Sequence, residues 1–170
     1  MPEVLPHVIG TVALLLIVFI ASTYFLGVES IVASQAFSTQ GQGVADYVAS
    51  NMVRMVTLAS QSSSSSAIFS LRIQPPPQIM NQGYRIMIQN ISGRCLITLQ
   101  SDTQPWLKTT SVIPLNATGL QVVLQTSPRM LATGQQQIQA GDSFESGTEE
   151  LVLWSLINGS LTTVGIGEVN

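Results

Sequence analysis

Hydrophobic residues follow three successive patterns along this chain: a continuous run, a stripe repeating every three to four residues, and an alternation of period two. From Val4 to Val28 there is no charged residue. The run Val8-Ile-Gly-Thr-Val-Ala-Leu-Leu-Leu-Ile-Val-Phe-Ile-Ala-Ser-Thr-Tyr-Phe-Leu-Gly-Val28 has no polar face. About twenty such residues are what a helix needs to cross the hydrocarbon core of a bilayer. Beyond Glu29 the apolar residues thin to Ile31, Val32, Ala36 and Phe37, then Val44, Val48, Met52, Met55 and Ala59, with Tyr47, Val53 and Val56 broadening the stripe. Steps of three and four define one face of a helix. Gln40, Gln42, Asp46, Ser50 and Arg54 lie mostly off that face. Pro2 and Pro6 suit a first helical turn, and the next proline is Pro75, so a single helix through about Ser60 is predicted. Gly41-Gln-Gly43 interrupts the stripe. Each glycine costs about 1 kcal/mol in a helix interior, which predicts a kink, a short melted stretch or a close helix–helix contact.

The run Ser60-Gln-Ser-Ser-Ser-Ser-Ser66 ends the helix and reads as a polar connector. After it the period becomes two. Ile68 to Ile73 is a first strand, broken by Gln74-Pro-Pro-Pro-Gln78, because proline cannot donate to a sheet ladder. Tyr84–Ile91 and Arg94–Gln100 flank Ser92-Gly93, a hairpin turn. Ser111–Leu115 and Leu120–Gln125 are two further strands joined through Asn116-Ala-Thr-Gly119, and the polar stretch Gly134–Gly147 holds one weak strand. Glu150–Ile157 meets Ser160–Ile166 across Asn158-Gly159, whose two residues supply the positive φ angles of a type I′ turn. The expected fold is α+β: a long N-terminal hydrophobic and amphipathic helix (1–60), a Ser-rich connector (61–67), and a head (68–170) of six to eight strands forming an antiparallel sheet or sandwich.

Composition narrows the function. The chain has 170 residues and a net charge of −3, with six scattered basic residues. Nucleic-acid binding needs a basic footprint that neutralises phosphates, and none is present. The only histidine is His7, at the mouth of the apolar run. It cannot serve as the base of a catalytic triad in a head at the other end of a helix about 75 Å long, taking 1.5 Å per residue over some fifty residues. His7 reads as an interfacial residue, with a proton-linked role as the sharper alternative. The lone Cys95 makes no internal disulfide and reads as a small core hydrophobe. The group Asp142, Glu145, Glu149 and Glu150 lacks the spacing of a calcium loop and reads as a solvated acidic loop. Trp106 and Trp154 read as core or interface packing residues rather than ligand platforms. No catalytic residue, cofactor or metal site is expected, and the chain is not read as an enzyme.

Met1–His7 contains neither Lys nor Arg, unlike the basic flank of a secretory signal, so the run reads as an uncleaved anchor. Three acceptor sequons for N-linked glycosylation, Asn90-Ile-Ser92, Asn116-Ala-Thr118 and Asn158-Gly-Ser160, all fall in the head. They favour a head outside the cell.

The span Val8–Val28, the extension Val44-Ala-Asp-Tyr-Val-Ala-Ser-Asn-Met-Val-Arg-Met-Val56, and the head opening Pro75-Pro-Pro-Gln-Ile-Met-Asn-Gln-Gly-Tyr-Arg-Ile-Met-Ile88 together resemble archaeal type IV pilin-like proteins. The basic leader of such prepilins has no counterpart in Met1–His7. The resemblance implies a structural subunit of an extracellular filament. It would be membrane-inserted first and then packed helix to helix with copies of itself, with β heads on the surface meeting the cell envelope or surface layer. The residues expected to carry assembly are Val8, Val12, Leu15, Phe19, Phe25, Val32, Val48, Met52 and Met55. The competing expectation is a single-span, membrane-anchored β-sandwich binding module, similar to archaellum stator proteins.

Overall fold

The computed structural model describes residues 4–62, 66–115, 121–133, 136–147, 150–159 and 161–169. Among these residues one helix, α1 (Val4–Ser60, 57 residues), precedes ten strands. The chain divides into two compact units, Met1–Ala36 and Phe37–Asn170. The boundary thus falls inside α1 rather than at its end, because the apolar stripe from Phe37 onward is buried in the same core as the strands.

In the larger unit, β2 (Tyr84–Ile91), β3 (Arg94–Ser101), β4 (Lys108–Ile113) and β8 (Ser143–Glu145) form a four-stranded antiparallel sheet in the order β4-β3-β2-β8. The second sheet has the order β1-β9-β10-β7-β6. It is built from β1 (Ser66–Arg72), β9 (Leu151–Asn158), β10 (Leu161–Val169), β7 (Gln136–Gly141) and β6 (Arg129–Thr133). A further strand, β5 (Gln121–Leu124), pairs with β10 in parallel. The expected α+β architecture with a β-rich head is what the chain adopts, with this one parallel pair added to antiparallel sheets.

One apolar cluster joins α1 to both sheets. Val44, Val48, Met52 and Val56 meet Tyr84, Ile86 and Ile88 of β2, Ile97 and Leu99 of β3, and Leu153 and Val164 of the second sheet. Strand β9 is buried almost throughout, so its two faces serve two clusters. Leu151 and Leu153 belong to the main core, and Val152 and Trp154 to a smaller one with Leu131, Ile138 and Ala140.

Several expectations need correction. The helix is unbroken through Gly41-Gln-Gly43. Gly41 makes a close contact with a strand: a Cβ there would stand 2.7 Å from Thr109 Cγ2. The first strand begins at Ser66, inside the Ser-rich run. The segments on either side of Asn116–Gly119 are β4 and β5, which lie in different sheets. Gly134–Gly147, expected to hold one weak strand, contributes β7 and β8, and β6 precedes it where no strand was expected. At the last hairpin Asn158 pairs with Leu161, so the turn begins one residue late, at Gly159 with φ 62°. The Ser92-Gly93 turn is as expected, with φ angles of 52° and 77° and Ile91 opposite Arg94. Those angles match a type I′ turn.

Candidate functional site

In the unit Met1–Ala36 the helix buries none of its described side chains. Val8, Val12, Leu15, Phe25 and Val32 are exposed, and Phe19 is 70% exposed. Their neighbours Ile9, Leu14, Leu16, Ile17, Ile20 and Leu26 are equally bare. The apolar surface therefore runs round the whole helix and has no single face. It continues past Glu29 to Ile31 and Val32, which remain exposed. The helix is long and apolar enough to cross a membrane.

Four hydroxyl side chains of this segment are satisfied within their own helix. Thr11 Oγ1 donates to the His7 carbonyl at 2.9 Å, Ser22 Oγ to Val18 at 2.8 Å, and Thr23 Oγ1 to Phe19 at 2.8 Å. Ser30 Oγ donates to Gly27 at 2.8 Å. Back-bonding of this kind pairs these four hydroxyl donors in an apolar medium, where an unpaired one would be costly. Tyr24 and Phe25 meet edge to face with ring centroids 6.3 Å apart.

The nine residues expected to carry assembly separate into two sets. Val8, Val12, Leu15, Phe19, Phe25 and Val32 present free apolar surface. Val48 and Met52 are fully buried and Met55 nearly so, all within the core of their own chain. Their periodicity is real, but the chain's own sheets occupy that face. These three residues have no surface left to offer a neighbouring copy.

Of the glycosylation sequons, Asn90 and Asn158 are exposed at hairpin ends, whereas Asn116 lies outside the described residues. Cys95 is buried on β3, and burial pushes its thiol pKa up, as suits a core hydrophobe. Of the acidic group, Glu145 pairs with Arg85 and Glu150 with Arg72, each at 3.2 Å and partly exposed, and Glu149 lies outside the described residues. Exposed pairs of this kind add little stability. Among the described residues, no group of three His, Cys, Asp or Glu side chains could hold a metal ion.

The hollows of the head are open and mixed in character. One of about 350 Å³ is lined by Arg85, Gln100, Ser101, Asp102, Pro105 and Glu145. It brings together charges of both signs, with Arg85 and Glu145 already bonded to each other, and no nucleophile–base pair. Of the two tryptophans expected in core or interface packing, Trp106 is 68% exposed, whereas Trp154 is fully buried with Nε1 donating to the Ile166 carbonyl at 3.1 Å. Nothing local separates the two tryptophans in sequence except that Trp154 sits in a continuous apolar strand. Compared with known protein families, curated proteins and solved structures, the chain matches none.

Proposed function

We propose that this chain is a structural subunit of an extracellular archaeal type IV pilus-like filament. It is inserted in the membrane first and then packs through its N-terminal helix against copies of itself, with β heads forming the outer surface and meeting the cell envelope. It has no enzymatic role in this reading. The observation that carries it is the all-round apolar exposure of α1 from Val8 to Val28, with Ile31 and Val32 exposed beyond it. A surface of that extent needs a non-aqueous partner, and beyond Glu29 the exposed Ile31 and Val32 extend it beside the polar Ser30, Ser34 and Gln35. Val8, Val12, Leu15, Phe19, Phe25 and Val32 make the helix–helix contacts, and Val48, Met52 and Met55 hold the head to its own helix.

The second reading is a single-span membrane anchor carrying a β-sandwich binding module, similar to archaellum stator proteins. The charge-free run Val4–Val28 favours it, because its length matches one bilayer crossing.

Electron microscopy of material sheared from the producing cells, with mass spectrometry of the subunit's N-terminus, separates the two. Filaments containing this chain are expected. Recovery of the chain only from detergent-solubilised membranes overturns the filament reading in favour of the anchor. Phe19→Asp should abolish filaments, because an unpaired charge in an apolar bundle is expensive. The same variant's membrane insertion, measured in parallel, separates failed assembly from failed insertion.

A further inference from the structure

The two sequon asparagines among the described residues, Asn90 and Asn158, lie at one end of the head. Their placement follows from the register of α1 against the sheets. Gly41 lies beside Thr109 and Ile79, Gln42 bonds Thr109, and Asp46 bonds Ser111, so β4 runs in the same direction as the helix. The Lys108 end of β4 therefore lies where α1 enters the unit at Phe37, and its Ile113 end lies toward Ser60. Ile113 is opposite Cys95, and Arg94 is opposite Ile91. The hairpin carrying Asn90 thus turns at the Ser60 end.

The second sheet gives the same answer independently. Strand β1 starts at Ser66, shortly after the helix ends, and Ser66 is opposite Asn158. The β9–β10 hairpin therefore also turns at the Ser60 end. Both asparagines are exposed there. Asn90 continues the core-facing row Tyr84, Ile86 and Ile88 but lies beyond the core's edge. Asn158 has Leu161, 37% exposed, as its cross-strand neighbour. Ile91, inside the first sequon, is 52% exposed, and Leu58 of the last helical turn is also bare. This pole combines two acceptor amides with apolar side chains that lack a protein cover.

We propose that Asn90 and Asn158 carry N-linked glycans that cap this pole of the head and cover Ile91 and Leu161. The proposal rests on the head being outside the cytoplasm, as in both readings above. The chemistry is a glycosyl transfer from a lipid-phosphate-linked oligosaccharide acted on by a membrane transferase. The side-chain amide nitrogen of asparagine bonds to the anomeric carbon, and the bond from that carbon to the phosphate oxygen breaks. The lipid phosphate leaves with the electron pair, and the amide proton passes to the transferase. The hydroxyl two residues on, Ser92 or Ser160, completes each acceptor.

The test is glycopeptide mass spectrometry on the full chain from the membranes or filaments of producing cells, together with external protease treatment of intact cells. Asn90→Gln and Asn158→Gln are each expected to remove one glycan mass, and the double variant to self-associate more. Ser92→Ala and Ser160→Ala keep the asparagines and should lose the same glycans, which covers a failure of the first variants to fold. Unmodified peptides spanning both asparagines, with the head cut by external protease, overturn this proposal and leave the filament reading standing. Glycans present without filaments uphold it and overturn the filament reading. Unmodified peptides with a head that is cut only after the cells are permeabilised overturn both.

Discussion

Ser111 Oγ of β4 donates a 2.6 Å hydrogen bond to the carboxylate of Asp46 on α1. One helical turn earlier, Thr109 Oγ1 donates to Gln42 Oε1 at 3.0 Å, and Gln42 Nε2 donates to Asp46 at 2.9 Å. The two ladders match in repeat. Four helical residues rise about 6 Å and two strand residues about 6.6 Å, so Gln42 and Asp46 meet Thr109 and Ser111 in step. Asp46→Ala is expected to destabilise the head by about 1 kcal/mol. That lowers its melting temperature by roughly 2–5 °C. Asp46→Asn, which keeps an acceptor oxygen for Ser111, should recover most of the loss. Thermal denaturation followed by circular dichroism in detergent reads both.

The paired glycines of α1 should respond in opposite directions. Alanine ordinarily gains about 1 kcal/mol over glycine inside a helix. At Gly43 a Cβ meets nothing within 4 Å, so Gly43→Ala should stabilise the head. At Gly41 the new Cβ would stand 2.7 Å from Thr109 Cγ2, whose hydroxyl is committed to Gln42. Gly41→Ala should therefore destabilise. Equal stabilisation by both substitutions would refute the close helix–strand approach.

Gly165 lies under Trp154: a Cβ there would come within 2.6 Å of the indole Cζ2. Gly165→Ala is expected to cost about 1–3 kcal/mol through overpacking. Trp106→Phe leaves Trp154 as the chain's one tryptophan, so its emission reports that core alone. In that background Gly165→Ala should shift the emission to the red, and acrylamide should quench it more than in the parent.

Tyr84 gives the head a dependence on alkaline pH. Burial pushes its phenol from 10.0 up to about 12, and its hydroxyl donates to the Pro76 carbonyl at 2.5 Å. Between these values the folded state keeps a proton that the unfolded state has released, so stability falls as pH rises. The contribution is complete below pH 10 and is lost on the way to about 12. Tyr84→Phe should be less stable at neutral pH by about 1 kcal/mol, the hydrogen bond it lacks. Its deficit relative to the parent should shrink across that alkaline window. Urea titrations at fixed pH values measure the difference.

Ser155 Oγ is buried without a hydrogen-bond partner among the described residues, on the face of β9 that carries Leu153. An unsatisfied buried hydroxyl costs about 1–3 kcal/mol. Ser155→Ala is therefore expected to raise the denaturation midpoint, and a lowered midpoint would show that the hydroxyl is satisfied in solution.

Local pattern determined much of this protein. The charge-free run, the single helix through Ser60 and the Ser92-Gly93 hairpin each depend on neighbours a few residues apart, and each can be read directly. So can the buried pair β9 and β10, whose apolar runs flank one glycine turn, although their register slipped by one residue because pairing across the whole strand outweighs the Asn-Gly preference. The tight turn at Met80-Asn81, with φ angles of 54° and 58°, carries no local sequence signal, because methionine rarely accepts that conformation. Only the tertiary structure decided that β5 lies parallel to β10, that β4 and β5 part to different sheets, and that a five-residue strand, β6, finds a partner in β7. Those choices pair segments that are distant in sequence or too short to carry a period of their own. The tertiary structure also divided α1. The apolar stripe Val44–Ala59 and the run Val8–Val32 are alike in wanting a partner, and periodicity states only that an apolar face must be covered. What covers it depends on which surface is in reach: both sheets of the head close over Val48, Met52 and Met55, and the residues before Phe37 are left bare.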